Sequence, residues 1–170
     1  MRNSHATTAP DPEVRALLRV LHGQRRHVLG ILDGLDAEAL RRPVLPSGWH
    51  CLGLVRHLAL DVERFWFQAV VAGDEETVRT LTSGDEAWDV APEVPELGLY
   101  RREAELADAV IAARPADAAP AWWPHDLFGE PHLHTLRDVL LHVVTETACH
   151  AGHLDAAREL IDGRRWLVLT

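Results

Sequence analysis

An unbroken helical seam runs through the last third of this 170-residue sequence and narrows the folds open to it. Leu136, Leu140, Val143, Thr147, His150, Leu154, Ala157 and Ile161 follow one another at steps that alternate between four and three. Side chains spaced in this way share one stripe of an α-helix. Thr135 precedes the seam with Asp138 three residues on, an acidic variant of the capping box, and Gly163 supplies a stop. Such a stripe is held mainly by packing, so the rest of the chain must supply faces that cover it.

Three earlier segments do so with the same periodicity, and no run alternates like a strand. The first follows Pro10 and Pro12 and carries Val14, Leu18, Leu21, Val28, Leu32 and Leu35, with Arg25 standing where an apolar residue is due. The second runs from about Cys51 to Val71, after the turn-forming Pro46-Ser47-Gly48, with Leu54, Leu58, Phe65 and Ala69 on one face. The third extends from near Pro95 to before Pro115, with Leu97, Tyr100, Ala104, Ala107 and Ile111 on one side. Four amphipathic helices imply an all-α fold, most economically a four-helix bundle spanning residues 1–170 as one domain. The polar, proline-bearing residues 1–10 read as a flexible tail. The connections 36–50, 72–94 and 114–134 are long for a bundle, and long connections are often functional.

The seam changes character at its centre. It is apolar at both ends, as is a flanking row at sevens, Val139, Glu146, His153 and Leu160. Glu146, Thr147, His150 and His153 thus form a polar island, and burying such groups costs several kcal/mol unless they find partners (about 2–7 per unpaired polar group). Glu146 and His150 lie one turn apart and can aim at one atom, the geometry of helical zinc motifs. The same pair also fits a plain intrahelical hydrogen bond. On the second segment His57 interrupts another apolar face. If these helices pack side by side, His57, Glu146 and His150 make a two-histidine, one-carboxylate set that leaves a coordination position open, as in catalytic metal sites. His142 lies off the seam. His153 reads as a supporting neighbour, and His125, His132 and His134 fall in a connection and read as solvated or as pocket rim.

Composition removes several other functions. With 17 basic residues, all arginine, against 26 acidic ones the formal charge is −9, and no basic stripe for a nucleic-acid backbone exists. No apolar run approaches the roughly 18 residues of a membrane span, and no secretory signal is apparent. Cys51 and Cys149 read as reduced core residues, a bridge between them being the alternative, and a cytoplasmic setting follows. Ser4, Ser47 and Ser83 are the only serines and none sits in a nucleophile elbow; phosphate-binding glycine loops are missing too. Cys149 adjoins His150, but neighbouring helical side chains diverge by about 100°.

The segment LRRPVLPSGWHCLGLVRHLALDVERFW, from Leu40 to Trp66, resembles the second-helix region of the DinB-like superfamily. The last helix, HVVTETACHAGHLDAARELIDG, resembles the branch holding mycothiol S-transferases and the metal-binding domain of mycothiol-dependent maleylpyruvate isomerase. The likeness covers nearly the whole chain, including Trp122-Trp123-Pro124. It implies an up-down-down-up DinB-like four-helix bundle and a metal triad at His57, Glu146 and His150. Many relatives have histidine where this chain has Glu146, and many carry arginine where it has Cys149. The activity implied is a divalent-metal-dependent S-transferase, with zinc first and nickel or iron also fitting, acting on a mycothiol-like small thiol and an electrophile. Trp88, Trp122 and Trp123 are candidates for apolar pocket walls. The alternatives are a metal-dependent hydrolase or thiol-dependent isomerase on the same site, or a non-catalytic metal-binding stress-response module, as monomer or homodimer.

Overall fold

A computed structural model describes residues 11–81 and 96–167 of the chain. Residues 1–10 and the proposed wall residue Trp88 lie outside them. The described residues are all-α: α1 (Pro12–Leu32), α2 (Ala37–Arg41), α3 (Cys51–His57), a π-helical continuation of α3 (Leu58–Val71), α4 (Glu75–Arg79), α5 (Glu96–Ala112), α6 (His125–Phe128) and α7 (Leu136–Asp162). Short helices α2, α4 and α6 thus occupy the stretches expected as connections. Asp36 and Asp74, each in extended backbone, cap α2 and α4 by accepting from the Ala39 and Thr77 amides, and Pro124 precedes α6.

Local chemistry explains the ends of the long helices. Asp11 caps α1 by accepting from the Glu13 amide, and Pro12 stands at a position whose N–H would have no helical partner. The other oxygen of Asp11 accepts from the Ala116 amide at 2.9 Å, tying the chain after α5 to the start of α1. At α7 the reciprocal capping box of Thr135 and Asp138 forms as expected, and Gly163 ends the helix at φ 80°, a conformation that favours glycine.

The four long elements form a closed ring of neighbours. α1 packs along α7, α5 along the π-helical segment, and the ring closes through α7 against that segment and α1 against α5. Leu21, Val28, Leu58, Phe67, Tyr100, Ile111, Leu136, Leu140 and Leu154 are fully buried at their junction. On the α7 flanking row only Val139 is buried; Leu160 is 57% exposed, on the outward face of a turn whose other side, at Ala157 and Arg158, is buried.

Charge is buried in this core at points where hydrophobic periodicity anticipated none. Arg25 is 6% exposed; its Nε and Nη2 each donate to Glu63 at 2.7 Å, and Nη1 donates to Asp108 at 2.6 Å. Burial opposes the charge on Arg25, but the hydrogen bonds and attraction of Glu63 and Asp108 outweigh it and hold the guanidinium ionised. The group links α1, the π-helical segment and α5. A second tie runs from Glu103 on α5 to Arg64 and Gln68, at 2.7 and 2.6 Å. Arg158 on α7 donates to the carbonyls of Ile31 and Asp33 and so caps the C-terminal end of α1 with a positive charge.

Candidate metal centre

The donors converge where α3 turns into the π-helical segment and faces the middle of α7. His57 is the last residue of α3, and Glu146 and His150 lie one turn apart on α7. One ligand atom from each of His57, Glu146 and His150 lies within 4.8 Å of the others. The rings of His57 and His150 meet edge to face with centroids 5.0 Å apart. Beneath them Thr147 is fully buried and bonds its hydroxyl to the Val143 carbonyl, so the seam stays satisfied under the site. Every side chain of the cluster is partly exposed, 21% for His57, 17% for His150 and 41% for Glu146, which leaves one side open to solvent.

The donor set suits a divalent cation. Bonds of about 2.0–2.1 Å in a tetrahedron put two donors roughly 3.4 Å apart. Glu146 Oε2 and His150 Nε2 are already separated by 3.4 Å. Burial lowers the pKa of His150 below its ordinary value, and the neighbouring His57 adds to this against the opposing pull of Glu146. The imidazole is therefore held neutral at neutral pH, the form that binds metal.

Asp61, which the sequence reading did not single out, orients His57. Its Oδ2 lies 2.8 Å from His57 Nδ1. A carboxylate there fixes the proton on Nδ1 and so puts the lone pair on Nε2, the carboxylate–histidine arrangement of metal proteins. The signal was present as a four-residue spacing, the same one that marks Glu146 and His150.

The remaining expected residues separate. His153 is exposed on the rim, its Nδ1 3.4 Å from that of His150, and its ring faces Trp49. His142 stands outside the donor cluster, half-buried against Trp66 with ring centroids 4.6 Å apart. Burial lowers its pKa, an effect that Glu146 opposes and His132 reinforces. Trp122 is half-buried at the far end of the π-helical segment from His57, where its amide donates to the Val70 carbonyl. Trp123 is buried, and its indole N–H donates to the Gly129 carbonyl at 3.0 Å. Both cysteines are free: Cys51 is buried, which pushes its thiol up to about 11, whereas Cys149 is exposed and not the core residue expected. Cys149 points away from the seam because it sits one residue before His150.

A helical ring in which two histidines and one carboxylate converge near solvent defines a class, the all-α bundles that carry a candidate cation site. The sequence profile of the mycothiol S-transferase family matches residues 16–163, and the chain belongs to that family. No curated protein matches the chain, and no solved structure does. None of the described helices is long and apolar enough to cross a membrane.

Proposed function

We propose that the protein is a divalent-metal-dependent thiol S-transferase, with His57, Glu146 and His150 as metal ligands and a small thiol of the mycothiol class as nucleophile. The observation that carries this reading is the convergence of the three donors within 4.8 Å on the open side of a bundle of this family. Zinc suits two imidazoles and one carboxylate best, with nickel and iron as the other fitting ions. A divalent cation held there supplies Lewis acidity that favours ionisation of a thiol near neutral pH.

The chain's own residues do the rest. Asp61 holds the His57 proton on Nδ1, keeping Nε2 as a lone-pair donor. His150 stays neutral through burial and presents Nε2 beside Glu146. His153, on the solvent rim beside His150, is assigned the supporting role of taking up the proton that the thiol loses. Trp122, at the far end of the π-helical segment from His57, is assigned to the outermost part of the substrate pocket. The cosubstrates are small molecules, the setting is the cytoplasm, and the protein acts as a monomer or homodimer with neither nucleic acid nor membrane as partner.

The test is metal content and thiol consumption on protein purified without an affinity tag. Wild type should carry close to one equivalent of metal and consume thiol in the presence of an electrophile, and His57→Ala and His150→Ala should lose both. Thiol consumption also separates transfer from hydrolysis and isomerisation, neither of which uses thiol up. Less than about half an equivalent of metal, unchanged by His150→Ala, would overturn the reading.

A further inference from the structure

The groove between α1 and α5 holds a cavity that the metal centre does not use. In the ring of helices α1 meets α5 on the side away from the junction of α7 with the π-helical segment, where the three donors converge. A cavity of about 300 Å³, open to solvent, lies there, and none of its lining residues belongs to α3 or α7. That volume falls at the lower end of small-molecule pockets, roughly 300–1,000 Å³. The lining follows helical spacing. His22, Arg25 and Leu29 share one side of α1, and Tyr100, Ala104 and Asp108 share one side of α5. Ala104 contributes only a methyl group where the two helices face each other, which keeps the space open.

The floor of this cavity is polar and incompletely satisfied. Tyr100 is 1% exposed, and its hydroxyl is the only buried side-chain oxygen or nitrogen among the described residues without a hydrogen-bond partner. Burial, and then the negative charge of Glu63, push its ionisation above the ordinary value against the pull of Arg25, so the group stays a neutral O–H donor. Buried polar atoms of native proteins are almost always paired, and one that is not needs an explanation. Its charged neighbours are matched with one another. Arg25 spends three N–H groups on Glu63 and Asp108, and the second oxygen of Asp108 lies 2.8 Å from His22 Nε2. The Tyr100 hydroxyl is left over, and the acceptor it lacks is one that an occupant of the cavity can bring.

The rim carries charge that the fold does not use. Arg26 and Arg101 are exposed and line the cavity, and neither forms an ion pair or hydrogen bond among the described residues. Glu105, one turn after Arg101, does not reach it. Between rim and floor, Leu29, Ala104 and the Tyr100 ring supply an apolar wall. Guanidinium forks match a carboxylate, which only accepts hydrogen bonds. Glu105 and Asp108 on the same lining repel a second negative charge, which selects a monoanion over a dianion. From these observations we infer that the α1–α5 cavity is a second binding site, for a small organic monocarboxylate. Its carboxylate meets Arg26 and Arg101, its apolar body lies on Leu29 and Ala104, and an oxygen at its inner end accepts from the Tyr100 hydroxyl. The site is independent of the transferase reading.

The experiment titrates 4-hydroxybenzoate and benzoate by calorimetry at low salt, with benzyl alcohol as the uncharged analogue and phenyl phosphate as the dianion. The proteins are wild type, the double variant Arg26→Gln with Arg101→Gln, Tyr100→Phe and His150→Ala. Arg26 and Arg101 are exposed and unpaired, and Tyr100→Phe removes only an unpaired hydroxyl, so these variants fold. Wild type should bind both acids saturably, 4-hydroxybenzoate the more tightly, and both more tightly than the alcohol or the phosphate. The double arginine variant should lose about 3–10-fold for both acids. Tyr100→Phe should lose the preference for 4-hydroxybenzoate, about 2–10-fold, and leave benzoate unchanged. His150→Ala should bind as wild type does, which separates this cavity from a carboxylate held at the metal centre. The site is overturned by any of four results: no saturable binding of either acid, binding that the double arginine variant leaves unchanged, a preference that survives Tyr100→Phe, or binding lost in His150→Ala. Phenyl phosphate bound as tightly as the acids would overturn the monocarboxylate class.

Discussion

Glu63→Ala strands the Arg25 guanidinium in the core. In the native protein Glu63 is fully buried, and both its oxygens accept from Arg25 at 2.7 Å. Its removal leaves two buried N–H donors without partners and a buried charge held only by Asp108, whose side chain is 34% exposed. Breaking a buried pair from one side costs about 3–5 kcal/mol. For a chain of this size each kcal/mol shifts the melting temperature by about 2–4 °C, so the drop should be about 6–20 °C. Urea denaturation followed by far-ultraviolet circular dichroism measures the energy directly. The companion is the double variant Arg25→Met with Glu63→Leu, which removes both charges and fills the space, and should fall within about 1 kcal/mol of wild type. A loss below about 1 kcal/mol for Glu63→Ala, or a double variant as unstable as the single one, would refute the idea that the cost is a stranded charge.

Asp61→Asn should weaken zinc affinity about 10–100-fold without removing a ligand, read by competition with a chromogenic chelator. An unchanged affinity would detach Asp61 from the site. The Thr135 hydroxyl and the His134 and Thr135 amides hold the Asp138 carboxyl below its ordinary pKa. A lowered folded-state pKa means its stabilisation is present above the unfolded value near 4 and lost as pH falls through the folded one. The stability difference between wild type and Asp138→Ala, from urea midpoints, should therefore be full at pH 7 and shrink toward zero below pH 4. A β-carbon at Gly30 would stand 2.5 Å from the Trp166 ring. Gly30→Ala should displace that indole, break its 3.0 Å hydrogen bond to His27 and cost about 1 kcal/mol, with red-shifted tryptophan emission as the marker.

How far the sequence reaches differs from element to element. The α7 seam, its capping box and its glycine stop were all legible, because helical spacing and end chemistry are local properties. The pairing of Glu146 with His150 was legible for the same reason. Arg25 was visible only as an interruption, since the residues that neutralise it stand 38 and 83 positions away. Asp61 was within reach, four residues from His57 and close to the same stripe, but only the folded chain shows its carboxylate meeting that imidazole. Cys149 was misplaced to the core because small sulfur side chains are usually buried, whereas its register on α7 points it outward.

By itself the sequence determined an all-α chain, the extent of its long helices and a polar island in an apolar seam. Periodicity, caps and stops act within a few residues and need no knowledge of the rest. Only the tertiary structure decided that His57 faces Glu146 and His150, because that meeting depends on which helices pack together. It also decided that Trp66, beyond the change of helical pitch after His57, meets His142, because the π-helical segment packs against α7.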